Sequence, residues 1–336
     1  MSNFWKQLDK PFYCLAPMSD VTDIAFRRML AKYGKNRENK NSVVFWTEFV
    51  AADGLCNKLA KKKLSHILKY SESERPIVAQ VFGANEDNME QACRYIASLG
   101  FDGIDINMGC PDKSVVAQGA GAGLIKTPQL ARKIIQAAHR GIESSGANIP
   151  LSIKTRIGFN KEEIDEWIGE LLKEDFSALT IHLRTKKELS LVPANWDYIK
   201  KIKEIIKKSG KDVLLIGNGD VKDLNDAESK AKEYGCDGVM IGRGVFGNPW
   251  FFDKNHHFLE SSERSNIEER LLVLIEHTQI FEKELLKPKY KNFAVMKKHF
   301  KAYVNDFPGA KELRMKLMET NNSKEVENII KKFLKS

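Results

Sequence analysis

Cys110 is the residue whose setting asks most plainly for a chemical role. It sits in Asn107-Met108-Gly109-Cys110-Pro111, directly after the apolar run Gly103–Ile106, and a glycine-rich run, Gly119-Ala120-Gly121-Ala122-Gly123, follows. Packing alone does not ask for a thiol between glycine and proline. With a free pKa of about 8.5, a thiol is a nucleophile once ionised and a proton donor while neutral. The glycine run behind it reads as a flexible loop that could close over a substrate. Cys14, Cys93 and Cys236 fall in apolar strand or helix patterns and read as core. Neither they nor Cys56 forms a C-x-x-C pair or stands at zinc-ligand spacing from a histidine. A disulfide framework and a metal site are therefore not expected.

Other polar residues gather at the ends of apolar runs. Ala16-Pro17-Met18-Ser19 ends the first and Thr47-Glu48 the second. Gln80 lies in the third, Asn107 follows the fourth, Lys154 closes the fifth and His182 the sixth. Asn218-Gly219-Asp220 and Gly242-Arg243-Gly244 follow the seventh and eighth. The last two loops suit a phosphate: glycine lets the backbone approach, and Arg243 offers a fork of donors. Lys154 is costly to bury unpaired. Glu48 or Asp105 could pair with it, or a flavin could account for it, because reduction places negative charge at the N1/O2 edge. His182 could be a general base, a cofactor contact or a satisfied core histidine. The amides of Gln80 and Asn107 suit the edge of a pyrimidine ring.

These positions need elements to hold them. Strand patterns cover Phe12–Ala16, Val43–Thr47, Ile77–Phe82, Gly103–Ile106, Leu151–Lys154, Ala178–His182, Val213–Ile216 and Gly238–Ile241. Amphipathic patterns between them include Asp87–Leu99, Pro128–Ser144, Lys161–Glu174, Trp196–Lys208 and Asp223–Tyr234. Strands this apolar are buried on both faces, and eight β/α units in about 250 residues predict a (β/α)8 TIM barrel over residues 1–253, with its active site at the strand carboxyl ends. No G-x-G-x-x-G follows the first strand, which argues against a dinucleotide fold. From 254 to 336 only helical periodicity remains, broken at Pro288 and Pro308-Gly309, which predicts a small all-helical domain. Gly34–Ser42 is a polar insert, and Lys58–Lys63 reads as a solvated helix face.

Apolar residues make up 42% of the 336, so a sizeable core is expected and disorder is not. No apolar run approaches the roughly 18 residues that cross a bilayer, and the start lacks a signal-peptide pattern. A soluble, cytoplasmic protein with no membrane contact is expected. The net charge of +9 suits a polyanionic partner, and from Lys254 onward 17 basic residues face 12 acidic ones.

Several segments carry a resemblance. Leu15-Ala16-Pro17-Met18-Ser19-Asp20, Asp105-Ile106-Asn107-Met108-Gly109-Cys110-Pro111, Lys154-Thr155-Arg156-Ile157-Gly158, His182-Leu183-Arg184-Thr185 and Asp237–Gly244 resemble, in order, motifs of the tRNA-dihydrouridine synthases. Met296–Phe300 and Phe307–Arg314 are similar to that family's helical tail. The resemblance implies FMN as cofactor, NADPH or NADH as reductant, tRNA as partner, and reduction of a uridine C5=C6 bond after the base is turned out of the fold. It implies Cys110 as the catalytic acid. It places Pro17, Met18, Ser19, Gln80, Lys154, His182, Asn218, Gly219, Asp220, Gly242 and Arg243 at the flavin, and Asn107, Arg184, Lys186, Lys297, Lys298, His299 and Arg314 at the tRNA. A monomer is expected. Two other readings fit fewer of these features: an FMN barrel acting on a free pyrimidine, like dihydroorotate dehydrogenases, and a non-catalytic RNA-binding protein.

Overall fold

The computed structural model describes residues 3–36, 42–256 and 264–335. Eight parallel strands close into one barrel in chain order: β1 (Phe12–Leu15), β2 (Val43–Ala51), β3 (Ile77–Phe82), β4 (Gly103–Met108), β5 (Leu151–Arg156), β6 (Ala178–His182), β7 (Leu214–Asn218) and β8 (Gly238–Ile241). β1 pairs with both β2 and β8, Leu15 opposite Ile241, which closes the ring. Closure leaves no exposed sheet edge. Helices Glu86–Ala97, Pro128–Ser144, Ile164–Leu171, Tyr198–Ser209 and Leu224–Tyr234 lie where amphipathic spacing predicts them, and Pro128 occupies the first turn of its helix, where a missing N–H costs nothing.

Strands β2, β4, β5 and β7 run further at their carboxyl ends than apolar patterning predicts. The added residues include polar ones: Glu48, Asn107, Thr155 and Arg156, Asn218. The apolar signal stops where the side chains turn to the barrel mouth, but the ladder continues.

The tail forms helices Arg264–Phe281, Met296–Tyr303, Ala310–Met318 and Ser323–Leu334, with the breaks at Pro288 and Pro308-Gly309 falling between them. Its core also takes in barrel residues. Helix Ile24–Tyr33 turns Phe26 and Leu30 toward the barrel core, and Ala25 and Met29 toward the tail. Spacing of four residues on each side is one face of a helix, so this helix serves two cores. Most of the Gly34–Ser42 insert, residues 37–41, lies outside the described residues. Among the described residues no helix is long and apolar enough to cross a membrane.

Candidate active site

After Met108 the chain leaves β4 in a tight turn held by Asn107. Its Oδ1 accepts from the backbone N–H groups of Gly109 (3.0 Å) and Cys110 (2.8 Å). Its Nδ2 donates to Gln80 Oε1 (2.8 Å), and Gln80 Nε2 donates to Asp105 (2.7 Å), which also accepts from Ser152 Oγ (2.6 Å). A continuous chain of hydrogen bonds thus runs from a carboxylate inside the barrel to the cysteine loop. Burial raises the Asp105 carboxyl to about 6. Gln80 and Asn107 are both buried, and both ends of each amide are engaged within the protein. Gln80, expected at the cofactor, and Asn107, expected at the substrate, are thus joined to each other, and Asn107 also holds the cysteine loop.

Arg156 holds that loop from the other side, Nε donating to Gly109 O (2.8 Å), while Thr155 Oγ1 donates to Met108 O (2.9 Å). The glycine-rich run is not an open loop. A short helix, Lys113–Ala117, leads into it, and it passes into a 3-10 turn, Gly121–Lys126, with Ala120–Ile125 buried. Gly121 has φ +56°, and a Cβ there would lie 2.9 Å from Cys110 O. Glycine is needed here for close approach rather than for motion. The Cys110 thiol is half-buried and lines a cavity of about 880 Å³ with Ser19, Phe49, Phe82, Lys113 and Lys186. Burial pushes its pKa up, which keeps the thiol neutral at pH 7.

A second cavity, about 660 Å³, opens at the ends of β5–β8 and reaches Pro17 and Met18. Lys154 Nζ donates to Asn218 Oδ1 (3.1 Å), whose Nδ2 donates to Met240 O (2.8 Å). Burial, and then neighbouring Arg156, hold Lys154 down to about 8. His182 is kept neutral by burial and by the cations Arg156 and Lys154, and its Nε2 lies 3.2 Å from Arg184 Nη1, where a neutral ring can accept. Asp220, at φ +48°, ties the loops together: its carboxylate accepts from Arg184 Nη2, the Ala194 N–H (2.9 Å) and Arg243 Nη2 (3.1 Å). Gly219 (φ +138°) passes so close to Ala194 that a Cβ would sit 2.6 Å from Ala194 Cβ. Lys154, Arg156, Arg184, Lys222 and Arg243 therefore line one cavity with a single carboxylate, Asp220, among its lining residues. Such walls fit a phosphate-bearing ligand, and they match the donor set expected for FMN.

Lys154 forms no salt bridge to Glu48 or Asp105. Glu48 is taken instead by Lys291 from the tail, whose Nζ lies 2.8 and 2.9 Å from the two carboxylate oxygens, 3.1 Å from Asp20 and 3.8 Å from Asp23. The tail thus reaches the mouth of the barrel beside Met18 and Ser19.

The chain matches the dihydrouridine synthase (Dus) family over residues 14–336. It belongs to that family. A protein named "Probable tRNA-dihydrouridine synthase 2" from Bacillus subtilis (strain 168) is 39% identical over 332 residues, 98% of this chain and 96% of its own length. A "Probable tRNA-dihydrouridine synthase" from Staphylococcus aureus (strain COL) is 38% identical over 333 residues, 98% of this chain and 95% of its own. Among solved structures, a 2-naphthoyl-CoA reductase complex aligns with TM-score 0.52 at 11% identity, over 72% of this chain and 49% of its own. Histamine dehydrogenase from Rhizobium sp. 4-9 aligns with TM-score 0.50 at 11% identity, over 80% and 48%. This chain spans about half the length of those two, and they share its barrel fold alone.

Within this dihydrouridine synthase the residues expected at tRNA divide. Lys186 borders the cysteine cavity. Lys298 is exposed and Lys297 half-buried on helix Met296–Tyr303, and Arg314 is half-buried with Nη1 donating to Val304 O (2.8 Å). Arg184 is 2% exposed and belongs to the cationic cavity rather than to the outer rim. His299 is 1% exposed, its ring 5.3 Å from Phe26 and 4.7 Å from His277. It lies on the same helix face as Met296, Phe300 and Tyr303, so the expected tRNA contact is corrected to a core position. Ser19 borders the cysteine cavity rather than the cationic one.

Sequence reading assigned no role to Arg156 or Lys291. Arg156 carried a usable signal: it stands two residues after Lys154 on one strand, so both point to the same face. Lys291 carried none, because its partners lie more than 240 residues away.

Proposed function

We propose that this protein is an FMN-dependent tRNA-dihydrouridine synthase, a cytoplasmic monomer whose residues 1–253 bind FMN and carry the chemistry and whose residues 254–336 bind tRNA. The observation that carries the reading is a neutral thiol, Cys110, on a loop pinned at both sides, next to a cavity lined by five cationic side chains. FMN bound there and reduced by NADPH or NADH would supply the hydride that saturation of a uracil C5=C6 bond requires. The protein's own residues do the rest. Arg243 and the backbone around Gly219 and Gly242 hold a phosphate. Lys154, steadied by Asn218, would offer positive charge to a flavin held in this cavity, whose reduced ring carries negative charge. His182 stays neutral and adds no repulsion. Cys110 gives its proton to C5 of the uracil, and Asn107 and Arg156 keep the thiol in place while it does so.

The test is a single turnover. Enzyme reduced by NADPH under anaerobic conditions is mixed with tRNA that lacks dihydrouridine. Flavin reoxidation should match dihydrouridine formed, one for one. Equal reoxidation by free uracil, with no dihydrouridine in the tRNA, would assign the site to a free pyrimidine instead.

A further inference from the structure

The segment after β6, from Leu183 to Asn195, has no regular secondary structure, yet its backbone is anchored along its length. The Lys186 and Lys187 N–H groups donate to Gly158 O and Phe159 O, each at 2.9 Å. Arg156 Nη1 donates to Thr185 O (3.0 Å) and Leu189 O (3.2 Å), and Arg184 Nε donates to Val192 O (2.6 Å). The Ala194 N–H donates to Asp220 (2.9 Å) and the Asn195 N–H to Leu183 O (3.1 Å). Leu189 is held at φ +54°, a conformation that L side chains rarely adopt.

What this frame presents to water includes a cluster of large apolar side chains. Leu191 is 83% exposed, Leu189 42% and Val192 40%. Among the described residues only six large hydrophobic side chains are exposed, and three of them are here. Single exposed leucines need no explanation. Three on one strained, anchored loop do, because two buried guanidinium groups fix where those side chains point. The segment also separates the two cavities: Leu189 borders the cysteine cavity and Ser190 the cationic one.

We propose that Leu191, flanked by Val192 and Leu189, is an apolar wedge that enters the RNA base stack beside the uridine being reduced. The proposal rests on tRNA being the substrate. A uridine stacked in folded RNA cannot reach Cys110, so it must leave the stack, and unstacking is costly. An apolar side chain inserted at the step offsets that cost by filling the gap. A wedge fixed beforehand loses little entropy on insertion. Lys186 and Lys187, on the same segment, supply attraction for the flanking phosphates. Leu191 is a positioning residue: it acts on where the uridine sits rather than on the reaction itself.

The variant is Leu191→Ser with Val192→Ser, both at exposed positions. Flavin content and the rate of reduction by NADPH serve as controls and should be unchanged. The uridine reduced by the unaltered enzyme is mapped first, and 2-aminopurine is then placed beside it in the tRNA. The double variant should bind this tRNA within about threefold of the unaltered enzyme. It should lose the fluorescence rise that marks unstacking, and at saturating tRNA it should reoxidise reduced flavin about tenfold more slowly or worse. Leu191→Phe should restore both signals. A normal fluorescence rise and a normal rate at saturation overturn the wedge. A defect confined to Kd also overturns it, because the segment would then only dock. If the unaltered enzyme forms no dihydrouridine on any tRNA, the substrate reading fails, and the wedge falls with it.

Discussion

The barrel mouth and the core of the tail both bury polar side chains, and the amides and guanidinium groups of the first are treated differently from the polar rings of the second. At the mouth, Gln80, Asn107, Arg156 and Arg184 each have named partners at hydrogen-bond distance. In the tail, neither ring nitrogen of His277 has a hydrogen-bond partner, and His299 Nδ1 and the Tyr303 hydroxyl also lack one. A buried polar group without a partner costs about 1–3 kcal/mol. The mouth positions its polar groups; the tail tolerates its own as space-filling rings packed on Phe26 and Phe246. Partner density, more than residue type, separates a site from a core that happens to contain histidine.

The largest effect that could break this contrast is at Cys110. Cys110→Ala should keep flavin, accept electrons from NADPH and bind tRNA, yet form dihydrouridine about 10²–10⁴-fold more slowly, the usual worth of a positioned acid. Cys110→Ser should also be poor, since an alcohol is a far weaker acid. If Cys110 only packs against Gly121, folded Cys110→Ala will reoxidise pre-reduced flavin with tRNA at a near-normal rate, and the mouth loses its claim to be the reactive region.

The second effect belongs to the tail. Burial holds His277 at about 3 and His299 well below its ordinary value of 6.5. The folded state therefore binds fewer protons than the unfolded chain below pH 6.5. Their contribution to stability is intact above pH 6.5 and is lost as pH falls, for His277 down to about 3. Two such groups cost about 3 kcal/mol between pH 6.5 and 5. Denaturant titrations across that range should show the loss, and His277→Leu with His299→Leu should flatten it. An unchanged pH slope in the double variant would mean that the rings find partners after all.

The same contrast explains what the sequence could and could not reveal. The eight strands were legible because double-sided burial makes near-continuous apolar runs. Their carboxyl ends were not, since Glu48, Asn107, Arg156 and Asn218 interrupt the runs while staying in the strands. Cys110, Lys154 and the loops at Gly219 and Gly242 stood out because their residue types fit poorly with packing. The hydrogen bonds that link Gln80 and Asn107 to each other were not legible, because an isolated amide shows nothing of its partners. The resemblance places His299 at the tRNA, but the spacing Met296, Phe300, Tyr303 marks its face as core. Lys291 needed the tertiary fold: nothing local says that its ammonium meets Glu48, Asp20 and Asp23.

A smaller effect tests the cationic cavity itself. Arg243 is 67% exposed and donates to Asp220. Water screens it, so its removal should sit at the low end for a charge-assisted bond, about 1.5 kcal/mol, or roughly tenfold in affinity. Arg243→Ala apoprotein should bind FMN that much more weakly in a fluorescence titration, while riboflavin, which has no phosphate, binds as before. An equal loss for both ligands would move Arg243 from the phosphate to the ring or to the fold.

The smallest effect asks whether the tail's surface reads RNA even though its core is only packing. Lys297 and Lys298 sit on the outer turn of the helix whose inner face carries His299 and Phe300. Each phosphate contact that a lysine makes releases counterions, and each removed contact lowers the slope of log K against log salt by about 0.7–0.9. Lys297→Ala with Lys298→Ala should therefore flatten the salt dependence of tRNA binding by about 1.5 and weaken binding several-fold at low salt, with the rate of flavin reduction by NADPH unchanged. The core of the tail is untouched by these changes, so the melting temperature should hold. A salt slope equal to that of the unaltered protein would make both lysines a solvated face, and the tail would then contribute to tRNA binding only through the barrel it braces at Lys291.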